Sequence, residues 1–165
     1  MDNAPEILEL DELYWYIGKK AKTETKENVY LMLMVGRKDR KIYGFDVAYD
    51  KSLERIQNMV DGAVEAKKYC TDGYLGYIDV AYPGKHIRNV RDKSETFTVE
   101  GVNSDLRHYI PTLARRSKCF ARKLETLYTV VEVFIEAYNR FSEEKQKYRQ
   151  FNETREVPFA IVDYL

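Results

Sequence analysis

Three runs in the first 48 residues constrain the fold more than anything else in the chain. "EILELDELYWYIGKK" alternates: Leu8, Leu10, Glu12, Tyr14 and Tyr16 share one side of a strand, while Ile7, Glu9, Asp11, Leu13, Trp15 and Ile17 share the other. "VYLMLMVG" (29–36) is a continuous apolar strand, and "IYGFDVA" (42–48) is a third. The segments between them, "TETKEN" and "RKDRK", are short and polar, so the three strands are expected to form an antiparallel meander. Asp11 then falls among apolar neighbours, an expensive place for an unpaired charge.

Beyond the meander the pattern changes. Ser52 can cap a helix in which Leu53, Ile56, Val60 and Val64 recur at helical spacing through Ala66. "KYCT" is a short buried strand ending at Asp72, and a connecting helix places it parallel to the first strand and beside it. "GYLGYIDVAY" predicts a short helix under Pro83-Gly84, "KHIRNV" a fifth strand, and "DKSET" a mobile loop. Val99 to about Ala114 is expected to be helical, with Val102, Leu106, Tyr109, Ile110 and Leu113 on its apolar side. Pro111 must kink or split that helix. A longer helix follows from Leu124 to about Tyr148, with Leu127, Val131, Phe134, Tyr138 and Phe141 inward. The expected order is β-β-β-α-β-α-β-α-α, an α/β fold in one domain over residues 1–148. The tail at 149–165 contains "VPFAIVDYL", which is apolar enough to dock on that domain.

Composition narrows the class. A hydrophobic fraction of 44% with 13% aromatics excludes a disordered chain. No apolar run approaches the roughly 18 residues of a membrane span. The acidic "MDNAPEILEL" does not read as a signal peptide, so a cytoplasmic protein is expected. Cys70 and Cys119 form no C-x-x-C pair, so a structural zinc site is not expected; two buried thiols are. Net charge is zero, but Gly84 to Lys123 holds ten Lys or Arg against four acids, and each flank comes to minus three. A basic segment between acidic ends suits a phosphate-binding face, and equally a solvated helix.

Three acids fall at strategic places: Asp11 on the first strand, Asp72 at the tip of the strand beside it, and Glu100 opening the following helix. Each has an ordinary explanation. Glu9 and Glu12 compete with Asp11, Asp72-Gly73 can be a turn, and Glu100 can be a first-turn acid favoured by the helix dipole. Brought together they would repel by about 1 kcal/mol per pair at 4 Å in water, and about 4 at an effective dielectric of 20. A fold keeps such a cluster only around something positive. Oxygen donors without His or Cys suit Mg²⁺ or Mn²⁺, and two such ions can activate the attacking oxygen of a phosphodiester and stabilise the leaving one. On the same helix Asn103 and Arg107 fall in line with Glu100, while His108 lies off that line.

"ELDELYWYIGKK", "YCTDGYLGY" and "TVEGVNSDLRHYIPTLARRSKCFARK" resemble the catalytic half of an insertion sequence 1 family transposase, one of the Asp-Asp-Glu (DDE) recombinases. The resemblance runs from about Glu9 through the last helix. It implies a ribonuclease H-like fold: a mixed five-stranded sheet, antiparallel meander plus parallel strands, flanked by helices. It implies that Asp11, Asp72 and Glu100 are the catalytic, metal-binding triad for two Mg²⁺ (or Mn²⁺) ions. Asn103 and Arg107 would contact DNA, and Arg115, Arg116, Lys118, Arg122 and Lys123 match the family's backbone-binding stretch. The implied activity is hydrolysis at the transposon ends followed by 3′-hydroxyl strand transfer into target DNA. The implied partners are inverted-repeat ends, target DNA and further copies of the chain, at the nucleoid. Tyr74 and Trp15 fit either a wedge near the scissile end or core packing.

Two departures accompany the resemblance. Twenty-seven residues separate Asp72 from Glu100, longer than the family's founding members lead one to expect, with "RDKSET" as the candidate insertion. Ten residues precede Asp11, so the family's zinc-binding and helix-turn-helix region is expected to come from an upstream frame joined by frameshifting. The alternative reading is a truncated, catalytically inert copy acting as a DNA-binding or regulatory protein.

Overall fold

The computed structural model describes residues 4–18, 27–91, 94–114 and 121–151, with side chains on the last helix described to Ser142. Five strands form one sheet: β1 (Ile7–Ile17), β2 (Glu27–Gly36), β3 (Ile42–Ala48), β4 (Lys68–Thr71) and β5 (Lys85–Arg88), in the order β3-β2-β1-β4-β5. The first three pair antiparallel, and β4 and β5 add in parallel. Three α-helices cover the sheet: α1 (Leu53–Asp61), α2 (Phe97–Tyr109) and α3 (Leu124–Phe151). This mixed α/β architecture is consistent with a ribonuclease H-like fold, as the sequence implied. No described helix is long and apolar enough to cross a membrane.

The alternation of β1 divides the core in two. Leu8 and Leu10 join Met32 and Met34 of β2 under α1, with Ile56, Met59 and Val60. Leu13, Trp15 and Ile17 join Leu31, Leu33 and Val35 on the opposite face, under α2 and α3. β2 is therefore covered on both sides, which is why its sequence is apolar without alternation. Each fully buried aliphatic side chain in these layers contributes about 1.5–3 kcal/mol.

Helix boundaries differ from the periodicity in instructive ways. α1 stops at Asp61 with Gly62 as its C-cap, and Val64, though in phase, is exposed. Ser52 makes no side-chain cap; its N–H is instead held by Asp50 at 3.0 Å. Pro111 splits the second helical run as expected. α2 ends at Tyr109, Ile110 turns to an extended conformation, and a 3₁₀ turn follows over Pro111–Leu113. Tyr109 is exposed and meets His108 edge-on, so it does not belong to the buried stripe. Of the helix expected at 73–82, only a 3₁₀ turn at Leu75–Tyr77 forms. The apolar tail and Cys119 lie outside the described residues.

Candidate active site

Register brings the first two acids together. β1 and β4 pair in parallel as Ile7 with Lys68, Leu8 with Tyr69, Glu9 with Cys70 and Leu10 with Thr71. One step further along both chains, Asp11 and Asp72 stand level at the end of β4. Asp72 also makes the turn its Asp-Gly pair suggested: its Oδ1 accepts the Tyr74 N–H at 2.9 Å. The turn and the presentation of the carboxylate are one feature.

Helix α2 crosses above them. Val99, Val102 and Leu106 face the sheet core, and the residues between them turn toward the strand tips. Asp11, Glu12, Leu13 and Asp72 from the sheet, with Glu100, Asn103, Ser104, Arg107 and His108 from α2, line one open cleft of about 780 Å³. All three acids of the expected triad are therefore on its wall, as are Asn103 and Arg107. His108 lines it too, although it lies off the helical line.

Asn103 is not a surface contact. It is only 7% exposed and its Nδ2 donates to Asp11 Oδ2 at 2.9 Å, while its Oδ1 is buried without a hydrogen-bond partner. The amide thereby fixes one oxygen of Asp11. Glu12 belongs to the opposite side of β1 and is occupied there by Lys51 and, at 2.7 Å, by the Tyr77 hydroxyl. Burial pushes the Tyr77 phenol well above the ordinary tyrosine range, and the charges of Glu12, Asp11 and Asp72 push it further. It stays a neutral donor to Glu12. Trp15 is core, and Tyr74 packs edge-on against Tyr77 with Lys51 3.6 Å from its ring centroid.

Glu9, the other rival of Asp11, has a role the sequence did not mark. It is 0% exposed. Its Oε2 accepts the backbone N–H groups of Thr98 (2.7 Å) and Val99 (2.9 Å), and Arg37 Nε donates to its Oε1 at 2.5 Å. Arg37 continues to the Glu95 carbonyl and carboxylate, and Lys68 and Cys70 reach the same Glu95 carboxylate. Burial works against the Arg37 charge, but Glu9 and Glu95 outweigh it and the guanidinium is held more firmly protonated. Burial pushes the Cys70 thiol up to about 11, so it is no nucleophile at neutral pH. Glu95 and the buried Thr96 are anchored, which corrects the mobile loop expected there as far as these two residues go.

Further along, Arg40 holds α2 from the side. It takes a left-handed conformation (φ 60°), lies against Gly101, and binds Asp105 at 3.1 Å, which also accepts from Tyr138 of α3. A Cβ at Gly101 would come within 3.2 Å of the guanidinium, so the glycine gives Arg40 its close approach.

The donor chemistry of the cleft suits a hard divalent cation: carboxylates and an amide, with no thiolate. As placed, no three His, Cys, Asp or Glu among the described residues are grouped closely enough to hold a metal ion. Of the basic stretch, Arg122 and Lys123 are exposed just before α3. Arg115, Arg116 and Lys118 lie outside the described residues.

The profile of the family described as IS1 transposase matches residues 6–141, a span that includes all five strands, the cleft and most of α3. The chain belongs to the IS1 transposase family. No curated protein matched the chain. Membership supports a transposase role and implies DNA as a partner, and it agrees with the resemblance carried by the three sequence stretches.

Proposed function

We propose that the chain is the catalytic part of an IS1 family transposase, and that its cleft hydrolyses the phosphodiester at the element's ends and then joins the 3′-hydroxyl to target DNA. The observation that carries this is the convergence of Asp11, Asp72 and Glu100, from three separate elements, on the wall of one cleft. Such an acid-lined wall suits phosphate only together with a divalent cation, Mg²⁺ or Mn²⁺, held by these three carboxylates. Bound there as a pair, the ions would supply Lewis-acid activation of the attacking oxygen and charge stabilisation at the leaving one. Rotation of the three side chains toward a shared cation would offset their mutual repulsion.

The chain's own residues do the rest. Asn103 keeps Asp11 oriented, so that ligation costs little side-chain ordering. Arg107, two turns along α2 from Glu100, holds a phosphate oxygen of the strand. Exposed Arg122 and Lys123, with Arg115, Arg116 and Lys118, grip the duplex backbone and position it without reading sequence. Residues 1–148 act as one catalytic domain, with 149–165 as its tail. Copies of the chain assemble on the paired ends at the nucleoid.

The test is nicking and joining of duplex DNA carrying the element's terminal inverted repeat, with and without Mg²⁺ or Mn²⁺. Metal-dependent release of a 3′-hydroxyl and its transfer to a second duplex is the expected result, lost in Asp72→Asn. Cutting without joining would point to a nuclease instead. Full activity in Asp72→Asn would overturn the site.

A further inference from the structure

We infer that Glu9 is a positioning residue for the cleft: it ties together the three elements that carry Asp11, Asp72 and Glu100 and so sets how well they hold a divalent cation. This rests on the proposed reading of those three acids.

An α-helix leaves its first N–H groups without intrahelical partners, and a residue at the N-cap usually satisfies them. In α2 the N-cap is Thr96, and it makes no side-chain cap. The capping oxygen comes from another element. Thr98 and Val99, the second and third residues of α2, both donate to Glu9 of β1. Glu100 is the next residue of the helix, and Asp11 is two residues along the strand from Glu9. A strand step of about 3.3 Å per residue separates the latter two rigidly. The positions of Asp11 and Glu100 are thus linked through one carboxylate and three peptide units.

The third acid is tied to the same point. Arg37, at the end of β2, bridges Glu9 to Glu95, and Glu95 is held by Lys68 and Cys70 of β4, the strand whose tip is Asp72. Arg37 also lies 5.2 Å from the centroid of Phe97, the first residue of α2. β1, β4 and α2 meet in a part-buried charge network around the fully buried Glu9. None of its members lines the cleft, so the network acts on the site only through backbone position.

The experiment is Mn²⁺ binding to the full chain, read from the loss of the free-ion electron paramagnetic resonance signal, alongside amide hydrogen exchange at Thr98 and Val99. Wild type, Glu9→Gln, Glu100→Gln, the double variant and Glu95→Gln are compared at temperatures where each is folded. Ile56→Val, a change in the core on the other face, serves as the control for lost stability. Glu9→Gln keeps the side chain's shape but not its charge. It is expected to weaken Mn²⁺ binding about tenfold, the lower end for residues that orient metal ligands, and to speed exchange at both amides. Ile56→Val is expected to leave affinity unchanged. Glu9→Gln is expected to cost less once Glu100 is already Gln, because only the alignment of Asp11 with Asp72 is then left to lose; an undiminished effect in the double variant overturns the link through α2. Wild-type affinity in Glu9→Gln, or an equal loss in Ile56→Val, overturns the inference while leaving the site intact. If Glu9→Gln does not fold, Glu95→Gln decides: weaker binding supports the network, and unchanged binding overturns it. If Glu100→Gln binds Mn²⁺ as wild type does, the reading of the site fails, and this inference with it.

Discussion

Two carboxylates on one face of one strand, two residues apart, have opposite surroundings. Glu9 is sealed from solvent, with both oxygens engaged by two helix amides and a guanidinium. Asp11 stands on the wall of an open cleft, one oxygen steadied by Asn103, in the company of Asp72 and Glu100. The lower region meets its acids with cations built into the fold, Arg37 and Lys68. The upper region gathers acids of the same sign on one surface. A buried charge matched from within is structural; three acids on the wall of one open cleft suit the proposed role of receiving a divalent cation.

Substitutions in the two regions should therefore fail in different ways. The largest effect is expected in the cleft. Asp72→Asn should lower nicking and joining by about 10²–10³-fold or more, the scale of losing one element of transition-state charge stabilisation. Its unfolding midpoint in urea should equal or exceed that of wild type, because a repelling charge has gone. Glu9→Ala should do the reverse in kind. Breaking a buried pair costs about 3–5 kcal/mol, so its urea midpoint should fall steeply before any activity is assayed. Equal stability losses in the two variants would erase the distinction between the regions.

Asn103→Ala probes the boundary between them. Asp11 would keep its place on β1 but lose its orienting amide, so activity should drop about 10- to 100-fold, with stability changed by roughly 1 kcal/mol. Steady-state joining assays beside urea titrations measure both. A drop in stability without loss of activity would put Asn103 with Glu9 instead.

How much of this was legible in the sequence depends on how local each signal is. The period-two alternation of β1 separated Leu8 and Leu10 from Leu13, Trp15 and Ile17 as the two core layers do, although Tyr16, near the strand's end, packs with the second layer. Pro111 marked the end of α2 because its ring acts on adjacent residues. Asp72 and Glu100 stood out in the sequence because one follows a strand's tip and the other lies in a helix's first turn, and Asp11 because it falls among apolar neighbours on β1. Glu9 could not be separated from Asp11, since both lie on one face with the same chemistry. Only the arrival of α2's N-terminus above one of them distinguishes the two, and that depends on how α2 lies over the sheet. Glu95 was hidden for the same reason: its partners come from β2 and β4. The overrun of α1 has a different cause. Val64 continues the helical spacing, but the chain turns at Gly62 before reaching it.

The smallest expected effect concerns pH. Hydrogen bonds from Arg37 and Cys70 hold the Glu95 carboxyl below its usual value of 4.5. A carboxyl depressed in the folded state contributes stability that is present above its unfolded pKa and lost as pH falls through the folded one. Wild type should therefore exceed Glu95→Gln in stability by a constant, small margin above about pH 4.5, and the margin should close in more acid solution. Glu95 is partly exposed, so the margin is modest. Unfolding curves across pH 3 to 7, in buffers spanning roughly that range, follow it.

The three acids of the upper region are proposed to hold a divalent cation jointly beside DNA. Anomalous diffraction from Mn²⁺ in crystals of the chain bound to a terminal-repeat duplex tests this most directly. Metal density is expected within about 2.0–2.3 Å of oxygens from Asp11, Asp72 and Glu100. Metal bound elsewhere, with any of the three turned away from it, would contradict the account.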